Sequence, residues 1–596
     1  MSISEEKIDE VGRRAQENAN LIWNAANSLF GAFRPHEYGL VILPMCVIKR
    51  FHDCLMPTHQ AVLDASKKFS NMGALKAAFL KKASTYQFYN TSRFTFDTLK
   101  AEPGNIYDNF MDYINGFSDN VSDILTRMNF YAQIERMKEA GVLYQVIVDF
   151  SAQNLDMSPE CISTVDMGYI FENLVQRFSE SYDEQAGAHF TSRDIIYLMC
   201  DLLITNSDTL VDEDGLHCTV YDMTMGTSQM LTCMQERLKQ IDEKADVQTF
   251  GQEINPFTMG IAVADTLIHG GEPDNMKFGN TLSDDQFSGY KFDFVISNPP
   301  FGIDWKREAS EVEKEHKKGE LGRFAPGLPS KSDGQLLFML NGISKLKDGS
   351  GKMAIIQNGS SLFSGDAGSG QSEIRKYVIE NNWLDAIVQL PNDSFYNTGI
   401  STYIWILDKG KPMRNPGKVQ LIDASGCCVS RRKSIGSKKV NISNECRDLI
   451  VGAYGEYITK DYKVKLNDEI EIVCKSKVVD SVDFGYRKIT IERPQIDEEG
   501  NPVLKKGKPV ADSSKRDTEN VPMIEDINEY FEREVLPYVP NAWIDVNKTK
   551  DGYEIPMTRY FYEYKKPEDV DDILTRIIAL EADITNSLNN LFHKEA

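Results

Sequence analysis

The sequence has 596 residues, of which 41% are hydrophobic and 26% are charged, a composition typical of soluble globular proteins with about three to five structural units. No stretch approaches the roughly 18–20 apolar residues of a membrane-spanning helix, and the polar N-terminus is unlike a signal peptide, so we expect a cytoplasmic protein. The net charge of −23 argues against DNA binding by this chain alone, because proteins that bind DNA unaided usually carry a basic surface.

Residues 1–155 are predicted to form an N-terminal helical domain. The segments IDEVGRRAQENANLIWNAANSL and YGLVILPMCVIKRFHDCL repeat apolar residues at helical spacing. No group in this region suggests chemistry. The ten cysteines of the chain are scattered without a C-x-x-C pair, which predicts reduced thiols and no metal site.

Short apolar runs alternate with helical patterns across residues 156–480. The predicted strands are TVYDM, VQTFGQEIN, KFDFVIS, GKMAIIQN, WLDAIVQLP and STYIWILD, and helical segments such as FTMGIAVADTLIHG and SEIRKYVIENN lie between several of them. This alternation predicts an α/β domain with a mainly parallel sheet covered on both faces. Residues 306–332 interrupt it with a long charged connection, and such loops are usually functional or disordered.

Residues 481–596 are predicted to form a C-terminal region that begins with a linker or small hairpins and ends in a helix from residue 567. An apolar stripe at steps of three or four residues marks this helix: Ile573, Ile577, Leu580, Ile584, Leu588 and Leu591. Such a stripe suits packing against other helices. Docking within the chain and docking on another subunit both remain open.

Two of the predicted strands end in carboxylates. Asp222 ends the first strand and leads into a turn of small residues, which lets backbone N–H groups approach a ligand closely. Glu253 ends the second strand, where an acid can bind both hydroxyls of a ribose. Each feature alone is typical of an ordinary turn or an exposed acid, but together they indicate a nucleoside ligand.

The stretch SNPPF, residues 297–301, ends the third strand. The side-chain oxygen of Asn298 and the carbonyl of Pro299 can accept both hydrogens of an exocyclic amine such as N6 of adenine. They would stabilise the positive charge that develops as this nitrogen becomes tetrahedral. The prolines hold the carbonyls rigidly, and Phe301 offers a stacking face for a flipped-out base. An isolated Asn-Pro-Pro is only a turn, so the motif gains meaning from following the other two strand ends.

These motifs resemble those of S-adenosylmethionine-dependent adenine-N6 DNA methyltransferases, which have a Rossmann-like core. More narrowly, the chain resembles the modification (M) subunits of Type I restriction–modification systems. SNPPF is similar to the catalytic motif of the family, YDMTMGTSQML to its cofactor loop, and GQEINPFTMGIAVADTLIHG to the segment with the ribose-binding acid. AGAHFTSRDIIYLMCDLL resembles the segment before the first core strand. The likeness extends over nearly the whole chain.

The resemblance implies a role for individual residues. The target adenine would be held by Asn298, Pro299, Pro300 and Phe301. The methionine end of S-adenosylmethionine would contact a loop that includes Asp222, Met223, Gly226, Thr227, Ser228 and Gln229. The rest of the cofactor would contact Glu253 and Ile254 at the ribose, Asn280 and Thr281 near the adenine, and Ala188, His189, Phe190, Thr191, Ser192 and Arg193.

Several positions depart from the family pattern. Met223 and Ser192 stand where proline is usual, and Asn280 stands where an aspartate is common. Ser228 and Gln229 replace small residues, and their extra bulk would lower the affinity for the cofactor. Activity is expected to survive, because the catalytic motif and Glu253 are intact.

The implied reaction is methyl transfer from S-adenosylmethionine to N6 of a flipped-out adenine in double-stranded DNA. In the family a separate specificity (S) subunit reads the sequence, two M subunits clamp the site, and a restriction (R) subunit can join. An acidic M subunit then needs only local basic contacts, and two basic clusters exist, at 430–439 and 505–508, although such clusters are often only solvated surface. A stand-alone methyltransferase is disfavoured by the short region after residue 480. A non-catalytic scaffold subunit with the same fold remains an alternative.

Overall fold

We describe the fold from a computed structural model. The described residues are 17, 19–73, 75–152, 154–162, 167, 170, 174, 191–207, 211–212, 215–268, 270–396, 398–466, 470–564 and 568–592. The chain divides into two compact units, Met1–Ile555 and Pro556–Ala596. The predicted domain boundaries near residues 155 and 480 stay predictions. Among the described residues, no helix has the length and hydrophobicity that crossing a membrane requires.

The N-terminal part of the first unit is helical, as predicted. Its helices are α1 (Gly39–Leu55), α2 (His59–Lys68), α3 (Leu75–Ser84), α4 (Phe96–Lys100), α5 (Ile106–Asn115), α6 (Asp119–Arg127), α7 (Phe130–Glu139) and α8 (Leu143–Phe150). Helix α1 is buried along almost its whole length. Its Lys49 pairs with Asp53 at 2.7 Å, and Asp53 also accepts the Met157 N–H at 2.8 Å. The buried ion pair therefore fixes the chain where it leaves the helical region. The first predicted helix, residues 8–29, lies partly outside the described residues.

A large sheet forms the centre of the first unit. Its strands are β1 (Val211–Asp212), β2 (Gly215–Asp222), β3 (Asp246–Glu253), β4 (Met276–Phe278), β5 (Phe294–Ser297), β6 (Lys352–Asn358), β7 (Leu384–Gln389), β8 (Thr402–Asp408), β9 (Lys418–Asp423), β12 (Lys460–Lys465) and β13 (Glu471–Asp480). Their order is β12-β13-β9-β7-β8-β6-β5-β2-β3-β4, with β1 paired to β2. All six predicted strands are present. Every residue of β8 is buried, and since successive side chains point to opposite faces, both faces are covered there.

The sheet is mixed, whereas the sequence predicts a mainly parallel one. Strands β4, β3, β2, β5 and β6 are parallel. Strand β8 then runs antiparallel between β6 and β7, and β13 and β12 are also antiparallel to their neighbours. The apolar character of β8 marks a buried strand but carries no information about its direction, which explains the error.

Helices connect these strands. They are α9 (Arg193–Ile204), α10 (Gln229–Ile241), α11 (Pro256–Ile268), α12 (Ala309–His316), α13 (Gln335–Lys345), α14 (Ser360–Phe363), α15 (Gly370–Glu380) and α16 (Asn444–Glu456). Helices α11 and α15 confirm the predicted helical segments FTMGIAVADTLIHG and SEIRKYVIENN. A two-stranded hairpin, β10 (Val429–Ile435) and β11 (Lys438–Asn441), precedes α16.

The charged connection at 306–332 is folded rather than structureless. It contains α12, and its Val312 and Phe324 are fully buried. Arg323 donates hydrogen bonds to the Thr281 carbonyl at 2.6 Å and to Asn341 Oδ1 at 2.9 Å, and it pairs with Glu315 at 2.7 Å. A few apolar and cationic anchors therefore fix a segment whose overall composition suggests a loop.

A smaller sheet completes the first unit. Strand β14 (Gly485–Glu492) pairs with β17 (Asp517–Pro522), β18 (Trp543–Ile544) and β19 (Lys550–Tyr553). A separate hairpin of β15 (Leu504–Lys505) and β16 (Lys508–Pro509) lies in the segment predicted as a linker or hairpin region. The short helix α17 (Ile527–Tyr530) follows β17.

The second unit contains α18 (Met557–Phe561) and α19 (Val570–Phe592). Helix α19 confirms the predicted C-terminal helix. The stripe residues Ile573, Ile577, Leu580 and Ile584 are all exposed, from 39% to 60%. The side chains at 588 and 591 lie outside the described set.

We expect the substitution Arg375→Met to destabilise the first unit. The buried guanidinium of Arg375 donates to the carbonyls of Tyr553 at 2.5 Å, Ser361 at 3.1 Å and Ser364 at 2.8 Å. Methionine would fill much of the space but leave these carbonyls unsatisfied, at a cost on the order of 3 kcal/mol. Urea unfolding measures the effect, and Lys376→Met, on the more exposed adjacent residue, is the control. Equal midpoints for the two variants would contradict this role of Arg375.

Candidate active site

A cavity of about 500 Å³ lies at the carboxyl ends of β2, β3 and β5. Its wall includes Asp222, Gly226, Glu253, Thr281 and Asn298. The volume falls in the range of about 300–1,000 Å³ that is typical of small-molecule sites. Ligands of open α/β sheets bind at this edge, so the cavity is where the strand-end motifs predict it.

The turn after β2 is fastened to the end of β3. Gly226 has a φ of +54° and donates its N–H to Glu253 Oε2 at 2.8 Å. The Met225 N–H donates to the Gln252 carbonyl at 3.1 Å. At Gly251 in β3, an added Cβ would collide with the Met225 side chain, so a larger residue there would displace Met225. The two carboxylates that end β2 and β3 are thereby fixed on one wall.

Glu253 is a buried carboxylate, 5% exposed, that is held by backbone groups. Its Oε1 accepts the Asn255 N–H at 2.7 Å and its Oε2 accepts the Gly226 N–H at 2.8 Å. Among the described residues, no cationic side chain pairs with it. Each oxygen can accept a further hydrogen bond, so Glu253 is suited to ligand hydroxyl groups.

Asp222 is a second buried acid on the same wall. Its Oδ1 accepts hydrogen bonds from the Thr224 N–H at 3.0 Å and from Ser297 Oγ at 2.6 Å. Burial raises the pKa of Asp222 to about 7, and the nearby Glu253 charge adds to this rise, while the hydrogen bonds from Ser297 and Thr224 oppose it. A cationic ligand group would favour the ionised form of Asp222.

Asn298 presents an unsatisfied oxygen at the cavity. Its Nδ2 donates to Thr191 Oγ1 at 2.8 Å, which fixes the amide. Its Oδ1 is buried and accepts no hydrogen bond from any described residue. Leaving a buried acceptor unpaired costs about 1–3 kcal/mol, so such a group is a candidate for ligand binding.

The rest of the SNPPF motif divides between the cavity and the core. Pro300 lines the cavity beside Asn298, whereas Pro299 and Phe301 are not among its lining residues. Pro299 is buried, and the Phe301 ring packs edge-on against Phe395 with centroids 6.3 Å apart. The role of Phe301 as a stacking face for a base therefore stays a prediction.

Most of the other predicted cofactor residues meet at this cavity: Thr191, Met223, Thr227, Gln229, Ile254, Asn280 and Thr281 line it. Ser192 and Arg193 are buried outside the lining, with Arg193 donating to the Tyr197 hydroxyl at 3.3 Å. Ala188, His189 and Phe190 lie outside the described residues.

Two departures from the family pattern can be reinterpreted. Ser228 lines a separate groove with Thr232 and Asp265 and is not among the residues that line the cavity, so the lower cofactor affinity expected from its bulk stays a prediction. Its backbone is left-handed, with a φ of +71°, a conformation that favours glycine. Asn280 lines the cavity, but its Oδ1 accepts the Leu282 N–H at 3.0 Å and its Nδ2 donates to Glu308 at 2.9 Å.

Sequence reasoning missed two contributors to the site. Ser297 links the ends of β2 and β5, since its Oγ is hydrogen-bonded to Asp222 and lies 2.8 Å from Thr224 Oγ1. A hydroxyl at the last position of an otherwise apolar strand was the available signal. Glu308 also lines the cavity. It lies in the charged connection, where nothing distinguishes it from its acidic neighbours.

The fold and these strand ends define a class of protein. The parallel strands β2, β3 and β5 end in a glycine turn, an acid and Asn-Pro-Pro, in that order. They form a Rossmann-like core of the S-adenosylmethionine-dependent methyltransferase class. The fold is similar to the crystal structure of the type I restriction-modification system methyltransferase subunit from Streptococcus thermophilus, with a TM-score of 0.59 and 20% identity. The match covers 79% of this chain and 97% of that chain.

The chain belongs to the N-6 DNA methylase family. The sequence model of that family matches residues 163–495, and the HsdM N-terminal domain matches residues 18–150. This confirms the resemblance predicted from the motifs and the function of an adenine-N6 DNA methyltransferase.

Two relatives illustrate the likeness. The Type I restriction enzyme MjaIX methylase subunit of Methanocaldococcus jannaschii is 23% identical over 438 residues, which cover 70% of this chain and 74% of the relative. The HindI methylase subunit of Haemophilus influenzae is 26% identical over 329 residues, 54% of this chain and 68% of that relative.

We expect Asp222→Asn to stabilise the protein at pH 8. The folded pKa of Asp222 is about 7, above the unfolded value near 4, so the folded state binds more protons between these values. Stability is therefore lost as the pH rises from about 4 to 7, and the full cost, at most about 4 kcal/mol, persists above pH 7. Asparagine avoids this cost and keeps an acceptor for Ser297.

Thermal unfolding of wild type and variant between pH 4 and pH 8 measures the difference. The gain in melting temperature should be largest above pH 7 and should vanish near pH 4. Asp64→Asn, on the exposed face of α2, is the control. A gain that grew toward low pH would contradict the buried-acid interpretation.

Proposed function

We propose that this chain is the catalytic subunit of a Type I methyltransferase complex. It transfers a methyl group from S-adenosylmethionine to N6 of an adenine flipped out of double-stranded DNA. The observation that carries the proposal is Asn298, whose amide oxygen is buried and unpaired among the described residues at a cavity that also contains Asp222 and Glu253.

The residues of the cavity fit S-adenosylmethionine. The spare acceptor positions of Glu253 suit ribose hydroxyls, and the buried Asp222 carboxyl suits the cationic methionine end. Ile254 lines the cavity and is 57% exposed, which suits one face of an adenine ring. When bound, S-adenosylmethionine supplies an electrophilic methyl group.

Asn298 acts by binding the target amine through a fixed oxygen. Thr191 holds Nδ2, so Oδ1 is the end of the amide that accepts a hydrogen from N6. As N6 becomes tetrahedral it gains positive charge, and the preorganised oxygen stabilises that charge more than it stabilises the planar amine. The backbone carbonyl of Pro299 is the proposed second acceptor. An intact Asn298 and Glu253 favour this function over a non-catalytic scaffold.

The proposal includes a specificity subunit and a second copy of the chain. A net charge of −23 disfavours DNA binding by one copy alone, so a partner must supply part of the DNA-binding surface. The exposed stripe of α19 is the proposed docking surface for the specificity subunit.

We expect Asn298→Ala to lower methyl transfer by about 10²–10³-fold or more, the loss typical when one preorganised group is removed. The affinity for S-adenosylmethionine should stay close to that of the wild type, because Glu253 and Asp222 are retained. Transfer of labelled methyl groups to DNA by the assembled complex and calorimetric titration measure the two quantities.

The control is Asn381→Ala, which removes an exposed amide at the end of α15. Thr191→Val should reduce transfer less than Asn298→Ala, because it frees the amide without removing it. A transfer rate unchanged by Asn298→Ala would contradict the proposed role of Asn298 in binding the target amine.

A charge substitution tests the docking surface of α19. Ile577→Asp together with Ile584→Asp should prevent co-purification with the specificity subunit, because burying two carboxylates in an apolar interface is costly. Thr575→Asp with Asn586→Asp adds the same charge to the opposite side of the helix, where both residues are exposed, and should leave assembly intact. Equal assembly of both double variants would refute the docking role.

A further inference from the structure

The hairpin of β10 and β11 is a basic segment in an acidic chain. Residues 429–441 contain five cationic side chains, Arg431, Arg432, Lys433, Lys438 and Lys439, and no carboxylate. The proposed catalytic function assigns this hairpin no role. Its contacts with the rest of the first unit show whether the hairpin is more than solvated surface.

One side of the hairpin is fastened to the start of α9. The side chain of Lys438 is 1% exposed and pairs with Asp194 at 3.1 Å. Asp194 also accepts the Ile442 N–H at 2.9 Å, just beyond the hairpin. Lys438 is thus neutralised and acts as an anchor.

The other side is fastened to residues 393–396. Lys438 donates to the Ser394 carbonyl at 2.9 Å, and the Ser437 N–H donates to the Tyr396 carbonyl at 2.8 Å. At Gly436, with a φ of +54°, an added Cβ would lie 2.4 Å from that carbonyl oxygen. The turn of the hairpin therefore approaches this loop as closely as glycine permits.

Each anchoring segment includes or adjoins a residue that contacts the catalytic motif. Thr191, three positions before Asp194, holds the Asn298 amide at 2.8 Å. Phe395, between the two anchoring carbonyls, packs against Phe301. The hairpin is consequently fixed beside the residues that would hold the target adenine.

Two cations of the hairpin have no ion-pair partner among the described residues. Arg431 donates to Asn441 Oδ1 at 2.6 Å within the hairpin, and Lys439 pairs with Asp393 at 3.1 Å. Arg432 and Lys433 are exposed, and no carboxylate of the described residues lies within ion-pair distance of either. The pairing register shifts between Ser430 and Ile435, and such irregularities redirect side chains at functional sites.

We infer that Arg432 and Lys433 bind backbone phosphates of the duplex next to the flipped adenine. The inference rests on the proposed function, since it assumes that DNA reaches Asn298. Phosphate contacts from arginine and lysine position a duplex without reading its sequence, which suits a subunit that leaves sequence reading to a partner. Because a flipped base remains joined to its backbone, cations fixed beside the base site lie near its flanking phosphates.

The test compares two double variants of the full chain in the complex with its specificity subunit. Arg432→Gln with Lys433→Gln removes both of these cations. Lys505→Gln with Lys508→Gln is the matched control, because it removes two exposed cations from the β15–β16 hairpin. Equilibrium binding to a DNA duplex that carries the methylation site is measured between 50 and 200 mM salt. Methyl transfer and the affinity for S-adenosylmethionine are measured in parallel.

Loss of two phosphate contacts should lower the slope of log affinity against log salt by about 1.8, so over this salt range the wild type should lose about tenfold more affinity than the hairpin variant. Cofactor affinity should not change. An unchanged slope overturns the inference, as does an equal change in the control variant or a loss confined to subunit assembly. In each of these cases an active wild type leaves the proposed function standing. A wild-type complex that transfers no methyl group overturns both.

Discussion

The hydrogen bond from Ser297 Oγ to Asp222 Oδ1, 2.6 Å long, joins the two strand ends on which the site depends. Strands β2 and β5 are paired through Val220 with Phe294 and Tyr221 with Val295, so both strands end side by side at the sheet edge. Asn298 directly follows Ser297. This one contact therefore sets the separation between the acid proposed for the cofactor and the amide proposed for the target base.

This arrangement buries polar groups whose loss of hydration is not fully offset by hydrogen bonds or ion pairs. Asp222 is buried with neutral donors only and has a raised pKa, and Asn298 keeps an unpaired oxygen. Both arrangements oppose folding, because buried charges and orphan acceptors are unfavourable. A cationic ligand at Asp222 and an amine at Asn298 would satisfy both groups, so the groups that weaken the fold are those with most to gain from binding. Stabilising substitutions at such sites commonly reduce activity for this reason.

The sequence predicts the centre of the fold better than its edges. Strand β8 reads TYIWILD and is buried throughout, so its apolar run reveals it. Strand β12 reads KDYKVK and lies at the edge of the sheet, where exposed positions accept charged residues and the hydrophobic pattern fades. The same limit hides α12, which is held by the buried Val312 and by contacts of Arg323 rather than by an apolar face.

Within the site, motif order along the chain predicts Asp222, Glu253 and Asn298 because each ends a strand. The contact between Thr191 and Asn298 joins residues 107 positions apart, and no local pattern contains that information. Spacing along the sequence also does not show which side of a turn a residue faces. The sequence therefore could not reveal that Ser228, although within the predicted loop, lines a separate groove.

The overall charge of the chain and the charge beside its active site are different quantities. At 0.1 M salt the field of an exposed charge is screened over about 10 Å, so most carboxylates of this chain have little effect on a phosphate next to Asn298. Such a phosphate is affected mainly by the groups within that distance, and the proposed placement of the β10–β11 hairpin would bring cations there from a segment without a carboxylate. A net charge of −23 excludes a broad basic surface but not a narrow basic contact beside the flipped base. The acidity of the remaining surface would then reduce unspecific binding and leave most of the affinity for DNA to the proposed partner subunits.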